Sequence, residues 1–120
     1  MPFVVARVSM PVKRAQELEL KARLGHAISL VPGKSEAYLL VEIEDECHLF
    51  LAGSDVKPVA YLEVSVFGNE GHAGYDGFTR EVTDAFAEVL GILPDHIYLR
   101  FSDIEAWGVA GQYIDRWMLD

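Results

Sequence analysis

Alternating and helical periods succeed one another twice along this chain. PFVVARVS (residues 2–9) is apolar and β-branched, and reads as a strand that Pro11 ends. A helix is expected from about Val12 to Leu30, where Leu20, Leu24, Ala27, Ile28 and Val31 form a stripe at helical spacing. Pro32 and Gly33 break it. AYLLVEIED (37–45) then alternates as a strand, with Leu39, Val41 and Ile43 on one face and Tyr38, Leu40, Glu42 and Glu44 on the other.

After the turn-rich link LFLAGSDVK the cycle restarts. VAYLEVSVF (59–67) turns Ala60, Leu62, Val64 and Val66 one way. The loop GNEGHAGYDG leads into a helix from about Tyr75 to Leu90, striped by Phe78, Val82, Ala85, Phe86, Val89 and Leu90. IYLRFSD (97–103) is the last expected strand. VPGKSEAYLLVE and ILPDHIYLRF both run from proline through a short polar link into Tyr-Leu and a strand, which supports a duplicated β-α-β unit. Right-handed crossovers would make each pair of strands parallel. The expectation is a two-layer α+β fold: one domain over residues 1–120, repeats at about 2–45 and 58–103, and a four-stranded mixed sheet with two helices on one face. The other face would carry Tyr38, Leu40, Glu42, Tyr61, Glu63, Phe67, Tyr98 and Arg100. That mixture is too aromatic for a wet surface and too polar for a core, and predicts contact with another subunit or a ligand.

Composition narrows the function classes. The net charge is −9 and the ten Lys and Arg residues are scattered, which argues against a nucleic-acid or anionic-membrane surface. A hydrophobic content of 51% argues against disorder. One cysteine, Cys47, permits neither an internal disulfide nor a CxxC pair. No apolar run approaches the ~20 residues that span a bilayer, and the start lacks the pattern of a secretory signal, so a cytoplasmic location is expected.

Several local patterns carry no chemistry. PGKS mimics the tail of a phosphate-binding loop, yet Ile28 stands where the first glycine must be, and the segment follows a helix rather than a strand. EDECH (44–48) has metal-type ligands but no second cluster, so no metal is expected. His26, His72 and His96 form no recognisable nucleophile–base arrangement. Pro2 has two readings: a tolerated strand-start proline, or, if Met1 is removed, a free secondary amine. Lys34 by itself reads as a solvated turn lysine.

Taken in order, these stretches resemble a known group. They are the proline after the initiator Met, PGKSEAY (32–38), GSDVKPVA (53–60), FG (67–68) and LGILPDHIY (90–98). Together they are similar to the macrophage migration inhibitory factor family of the tautomerase superfamily, from Pro2 to about Val109. The resemblance implies a homotrimer with active sites at subunit boundaries, and cofactor-independent keto–enol tautomerisation of compounds such as phenylpyruvate. It implies Pro2 as the catalytic amine, Lys34 as the pocket lysine and Phe67 as the position whose backbone N–H helps hold substrate. Tyr38 and Tyr98 would be pocket tyrosines, Tyr98 coming from a neighbouring subunit, with Val109 an apolar wall and Trp107 nearby. Arg100 stands where vertebrate members carry asparagine, which changes the charge of the pocket. VAYL (59–62) replaces their CxxC, so thiol chemistry is not carried over.

A tautomerase needs a base that is neutral at working pH and donors near the developing oxyanion. A buried strand start lowers an amine pKa by disfavouring the ammonium, and a nearby cation lowers it by repulsion. Lys34 or Arg100 could supply that cation, and Arg100 could clamp a carboxylate bidentately. Two rival expectations stand beside this one. One is a cytokine-like factor with a vestigial pocket, released without a signal peptide and acting on a protein receptor. The other is a different superfamily reaction on a small carboxylate, such as hydration or decarboxylation.

Overall fold

The computed structural model describes residues 1–119. In chain order the elements are β1 (Pro2–Val8), α1 (Arg14–Ala27), β2 (Leu40–Glu44), β3 (Ala60–Phe67), α2 (Tyr75–Leu90), β4 (Ile97–Ile104), β5 (Ala106–Val109) and β6 (Gln112–Asp115). The main sheet has the order β2-β1-β3-β4. β1 and β2 are parallel, as are β3 and β4, so each helix crosses over between parallel neighbours. The two units meet antiparallel at the centre, with Pro2 opposite Val66 and Val8 opposite Ala60. The sheet is therefore mixed, with each half a β-α-β unit.

Strand alternation decides which face is covered. Val4, Ala6 and Val8 of β1 and Leu62, Val64 and Val66 of β3 are buried against Leu20, Leu24 and Ile28 from the first helical segment and Phe78, Val82 and Phe86 of α2. Both helices thus lie on one face, as the stripes predict. The opposite face presents Arg7, Tyr61, Glu63, Tyr98 and Arg100, none of them buried. No helix among the described residues is long and apolar enough to cross a membrane.

The bounds of two elements need correction. The first α-helix begins at Arg14, not Val12, because Lys13 is extended (ψ 155°) and caps it, its N–H donating to Gln16 Oε1 at 2.9 Å. It ends at Ala27 and tightens into a 3₁₀ turn over Ile28–Leu30. The second strand starts at Leu40, since Glu36–Tyr38 forms a 3₁₀ turn closed by the Leu39 N–H on the Glu36 carbonyl at 3.1 Å. Tyr38 therefore lies off the sheet, before the strand. Phe67 at the end of β3 is buried but lies outside the core between the sheet and the helices, whereas its neighbour Val66 belongs to it.

The chain after β4 was not legible as strands. It folds into a β5–β6 hairpin that forms a two-stranded sheet of its own, with Trp107 opposite Ile114. Its two turn residues, Ala110 (φ 52°) and Gly111 (φ 77°), are both left-handed, the backbone that a tight two-residue hairpin demands. Val109, Tyr113, Trp117 and Met118 are exposed along this segment.

Candidate active site

The start of β1 is a central strand end, so its first residues are sheltered from both sides. Pro2 is buried, and it forms a cleft of about 260 Å³ with Met1, Gly33, Lys34, Ser35 and Tyr38. The PGKS turn reaches this place because the 3₁₀ turn after α1 reverses the chain, and the Lys34 N–H bonds the Val31 carbonyl at 3.0 Å. From there Lys34 Nζ extends to the Phe67 carbonyl oxygen at the end of β3, at 2.6 Å. The structure therefore gathers Pro2, Lys34, Tyr38 and the Phe67 backbone, four of the residues singled out in the sequence.

The electrostatics of this corner disfavour a cationic amine. Burial first, and then the Lys34 ammonium, pull the Met1 amine from its ordinary 8.0 to about 6. The peptide of Met1 also uses the local donor, since the Phe67 N–H points at the Met1 carbonyl oxygen at 3.4 Å. Removing Met1 would leave both the Pro2 nitrogen and the Phe67 N–H without that peptide.

The remaining expected residues lie elsewhere in the protomer. Tyr98 is opposite Tyr61, five residues along β3 from the Val66 that faces Pro2, a separation of roughly 16 Å at strand rise. Tyr98 lines a shallow hollow of about 180 Å³ with Leu49, Phe50, Leu51, Val59 and Tyr61. Arg100 sits on the open face opposite Glu63. Val109 and Trp107 are on β5, outside the main sheet. The cleft at Pro2 thus holds Lys34 and Tyr38, and Tyr98, Arg100, Val109 and Trp107 are not among the residues that line it.

A larger cleft of about 500 Å³ opens at the far end of β1, lined by Ser9, Met10, Pro11, Glu46, Cys47, His48 and neighbours. It is remote from the amine, and the Cys47 thiol donates to the Glu44 carbonyl at 3.4 Å. Among the described residues, no group of three or more His, Cys, Asp or Glu side chains could hold a metal ion.

Supports around the site were missed from sequence. Gly74 (φ +83°) lets the loop before α2 approach the end of the first helical segment, where an added Cβ would fall 2.2 Å from the Leu30 carbonyl oxygen. Buried Gly25 makes room for the Glu36 carboxylate beneath the turn that carries Tyr38. His72 Nε2 lies 3.0 and 3.1 Å from the two oxygens of Asp103, tying the loop after Phe67 to the end of β4. Glycine-rich composition marked that loop; nothing local paired it with Leu30 or Asp103.

Comparison with known proteins places this geometry. The sequence model of the family described as macrophage migration inhibitory factor (MIF) matches residues 1–113. The chain is 31% identical over 111 residues to the Gallus gallus protein named D-dopachrome decarboxylase, covering 92% of each. Its fold matches the crystal structure of Leishmania major MIF2 with a TM-score of 0.87 at 24% identity, over 95% of this chain and 97% of that one. It matches a macrophage migration inhibitory factor homologue from Prochlorococcus marinus with a TM-score of 0.80 at 24% identity, over 92% and 97%.

Proposed function

We propose that this chain, which belongs to the macrophage migration inhibitory factor family, is a cofactor-independent keto–enol tautomerase of phenylpyruvate-like 2-keto acids, with the Pro2 amine as general base once Met1 is removed. The observation that carries this reading is the N-terminal corner. It is a buried strand start where burial and Lys34 favour a neutral amine, beside a backbone N–H able to serve an oxygen.

The chemistry follows from those positions. The neutral Pro2 nitrogen takes a proton from the carbon next to the keto group, and the C–H electron pair moves into the carbonyl to give an enolate. The Lys34 ammonium and the Phe67 N–H stabilise the oxygen that gains charge. Returning the proton to oxygen completes the enol, and the reverse sequence gives the ketone. The base ends each turnover as it began, so the reaction needs no redox partner.

A homotrimer would complete the site, with a neighbouring copy supplying Tyr98, Val109, Trp107 and Arg100. In such an assembly Arg100 takes the substrate carboxylate while Tyr38 and Tyr98 flank the aromatic ring. This would let a protein of net charge −9 accept an anionic substrate.

A second reading has its own support. The Gallus gallus relative is named for decarboxylation of D-dopachrome, and loss of CO₂ next to a cyclic imine would use the same cation pair to hold the departing carboxylate. The test is the enol–keto absorbance assay on phenylpyruvate, with intact mass defining the N-terminus. Chain lacking Met1 should turn over, and chain retaining it, whose Pro2 nitrogen is an amide, should lose on the order of 10²–10⁴ in rate. Equal rates for the two forms would remove Pro2 from the mechanism. Turnover of a dopachrome carboxylate without phenylpyruvate activity would select the second reading.

A further inference from the structure

The open sheet face carries a row of alternating charge across all four strands. Glu44 of β2 is opposite Arg7 of β1, and Glu63 of β3 is opposite Arg100 of β4. Arg7 links the two halves. Its Nη1 lies 2.8 Å from Glu63 Oε1 and its Nε 3.4 Å from Glu44 Oε2. Among the described residues, the ion pairs within 4.0 Å do not include Arg100. Yet Glu63 projects from the adjacent strand, about 4.8 Å away, well within reach of an arginine.

The obvious partner of Arg100 is thus already engaged. The hydrogen bond from Arg7 is the main influence holding the Glu63 carboxyl below its ordinary range, so Glu63 is an anion whose charge Arg7 answers. The Tyr61 phenol first, and Glu63 after it, act to raise the Arg100 guanidinium, which stays cationic.

We propose that Arg7 is a positioning residue for carboxylate recognition: by holding Glu63 and Glu44 it leaves the Arg100 guanidinium without a carboxylate partner and able to bind a substrate carboxylate. This rests on the reading of Arg100 as part of a composite tautomerase site. Without Arg7, Glu63 swings to Arg100 and occupies the fork that a 2-keto acid would take.

The experiment compares phenylpyruvate with its methyl ester in wild type, Arg100→Ala, Arg7→Gln, Glu63→Gln and the Arg7→Gln/Glu63→Gln double variant. Arg7→Gln should raise KM for the acid about tenfold with kcat unchanged, and leave the ester's KM alone. Adding Glu63→Gln should restore the acid's KM, because no carboxylate remains to capture Arg100. A purely structural role for Arg7 predicts instead equal losses for acid and ester, with no rescue, and that result overturns the proposal. So does an Arg7→Gln enzyme with unchanged KM for the acid. If wild type itself fails to turn over, the tautomerase reading falls. Phenylpyruvate binding by calorimetry then reads the same contrast among the variants, and absence of the Arg7 and Glu63 pattern there overturns the inference by itself.

Discussion

The ammonium of Lys34 donates to the backbone carbonyl of Phe67 at 2.6 Å, joining the turn that follows the first helical segment to the last residue of β3. This bond spans the two repeats. It fixes a cation beside the N-terminus, and a charge-assisted bond of this kind holds position better than a free lysine could. The carbonyl it engages belongs to the residue whose N–H faces the chain start, so the cation and the backbone donor are set against each other by one contact.

Replacing Lys34 with Met should therefore act twice. In the proposed mechanism the ammonium stabilises the enolate oxygen, so without it kcat/KM should fall about 10- to 100-fold, the worth of a charged hydrogen bond. Its loss also removes the repulsion that disfavours a protonated amine, so the ascending limb of the pH–rate profile should move to higher pH. Steady-state kinetics from pH 5 to 9 read both effects. A drop in rate with no movement of the limb would detach Lys34 from the amine.

Chain that retains Met1 offers a separate test of the same environment. Its amine falls from 8.0 to about 6 on folding. Between those values the unfolded chain binds more protons than the folded one, so stability must rise with pH across that window. The contribution is fully present above about 8 and is lost as pH falls through about 6. Thermal unfolding across this range should show the increment, and N-terminal acetylation should abolish that part of the pH dependence.

Gly74 and Gly25 both admit a neighbour, but of different kinds. An alanine at 74 would put its Cβ against the fixed Leu30 carbonyl oxygen and would adopt φ +83° at a steric cost. An alanine at 25 would meet the Glu36 side chain, which can swing away. Gly74→Ala should thus cost more than 1 kcal/mol, on the order of 2–4 kcal/mol by urea unfolding, and Gly25→Ala about 1 kcal/mol or less. Gly25→Ala should still raise KM, because Glu36 begins the turn that ends at Tyr38.

Much of this fold could be read from periodicity because each buried face repeats. Leu20, Leu24 and Ile28 mark one helix, Phe78, Val82 and Phe86 the other, and alternation in β1 and β3 marks their inner sides. Reading stalled where the chain departs from a single period. Tyr38 continues the alternation of β2 in sequence but sits in a 3₁₀ turn. The Pro2–Lys34 corner was legible only through the family resemblance, since a proline and a turn lysine far apart in sequence carry no spacing rule. The row Glu44–Arg7–Glu63–Arg100 depends on the register of four strands, which no local pattern specifies.

The C-terminal hairpin gives the sharpest test of the composite site. β5 and β6 pair with each other in a separate sheet, and none of their residues belongs to the buried core between the main sheet and the helices. Ending the chain after Glu105 should therefore leave far-ultraviolet circular dichroism of the main sheet and helices nearly unchanged. The protomer's own cleft at Pro2, Lys34 and Tyr38 also survives the deletion. Exposed Val109, Tyr113 and Trp117 are instead the apolar surface that a second copy would cover. Light scattering should accordingly count fewer copies per particle for the truncated chain than for the intact one, and phenylpyruvate turnover should collapse although every residue of the N-terminal corner is present. A truncated chain with the intact chain's number of copies and its full activity would place the hairpin outside both the interface and the site.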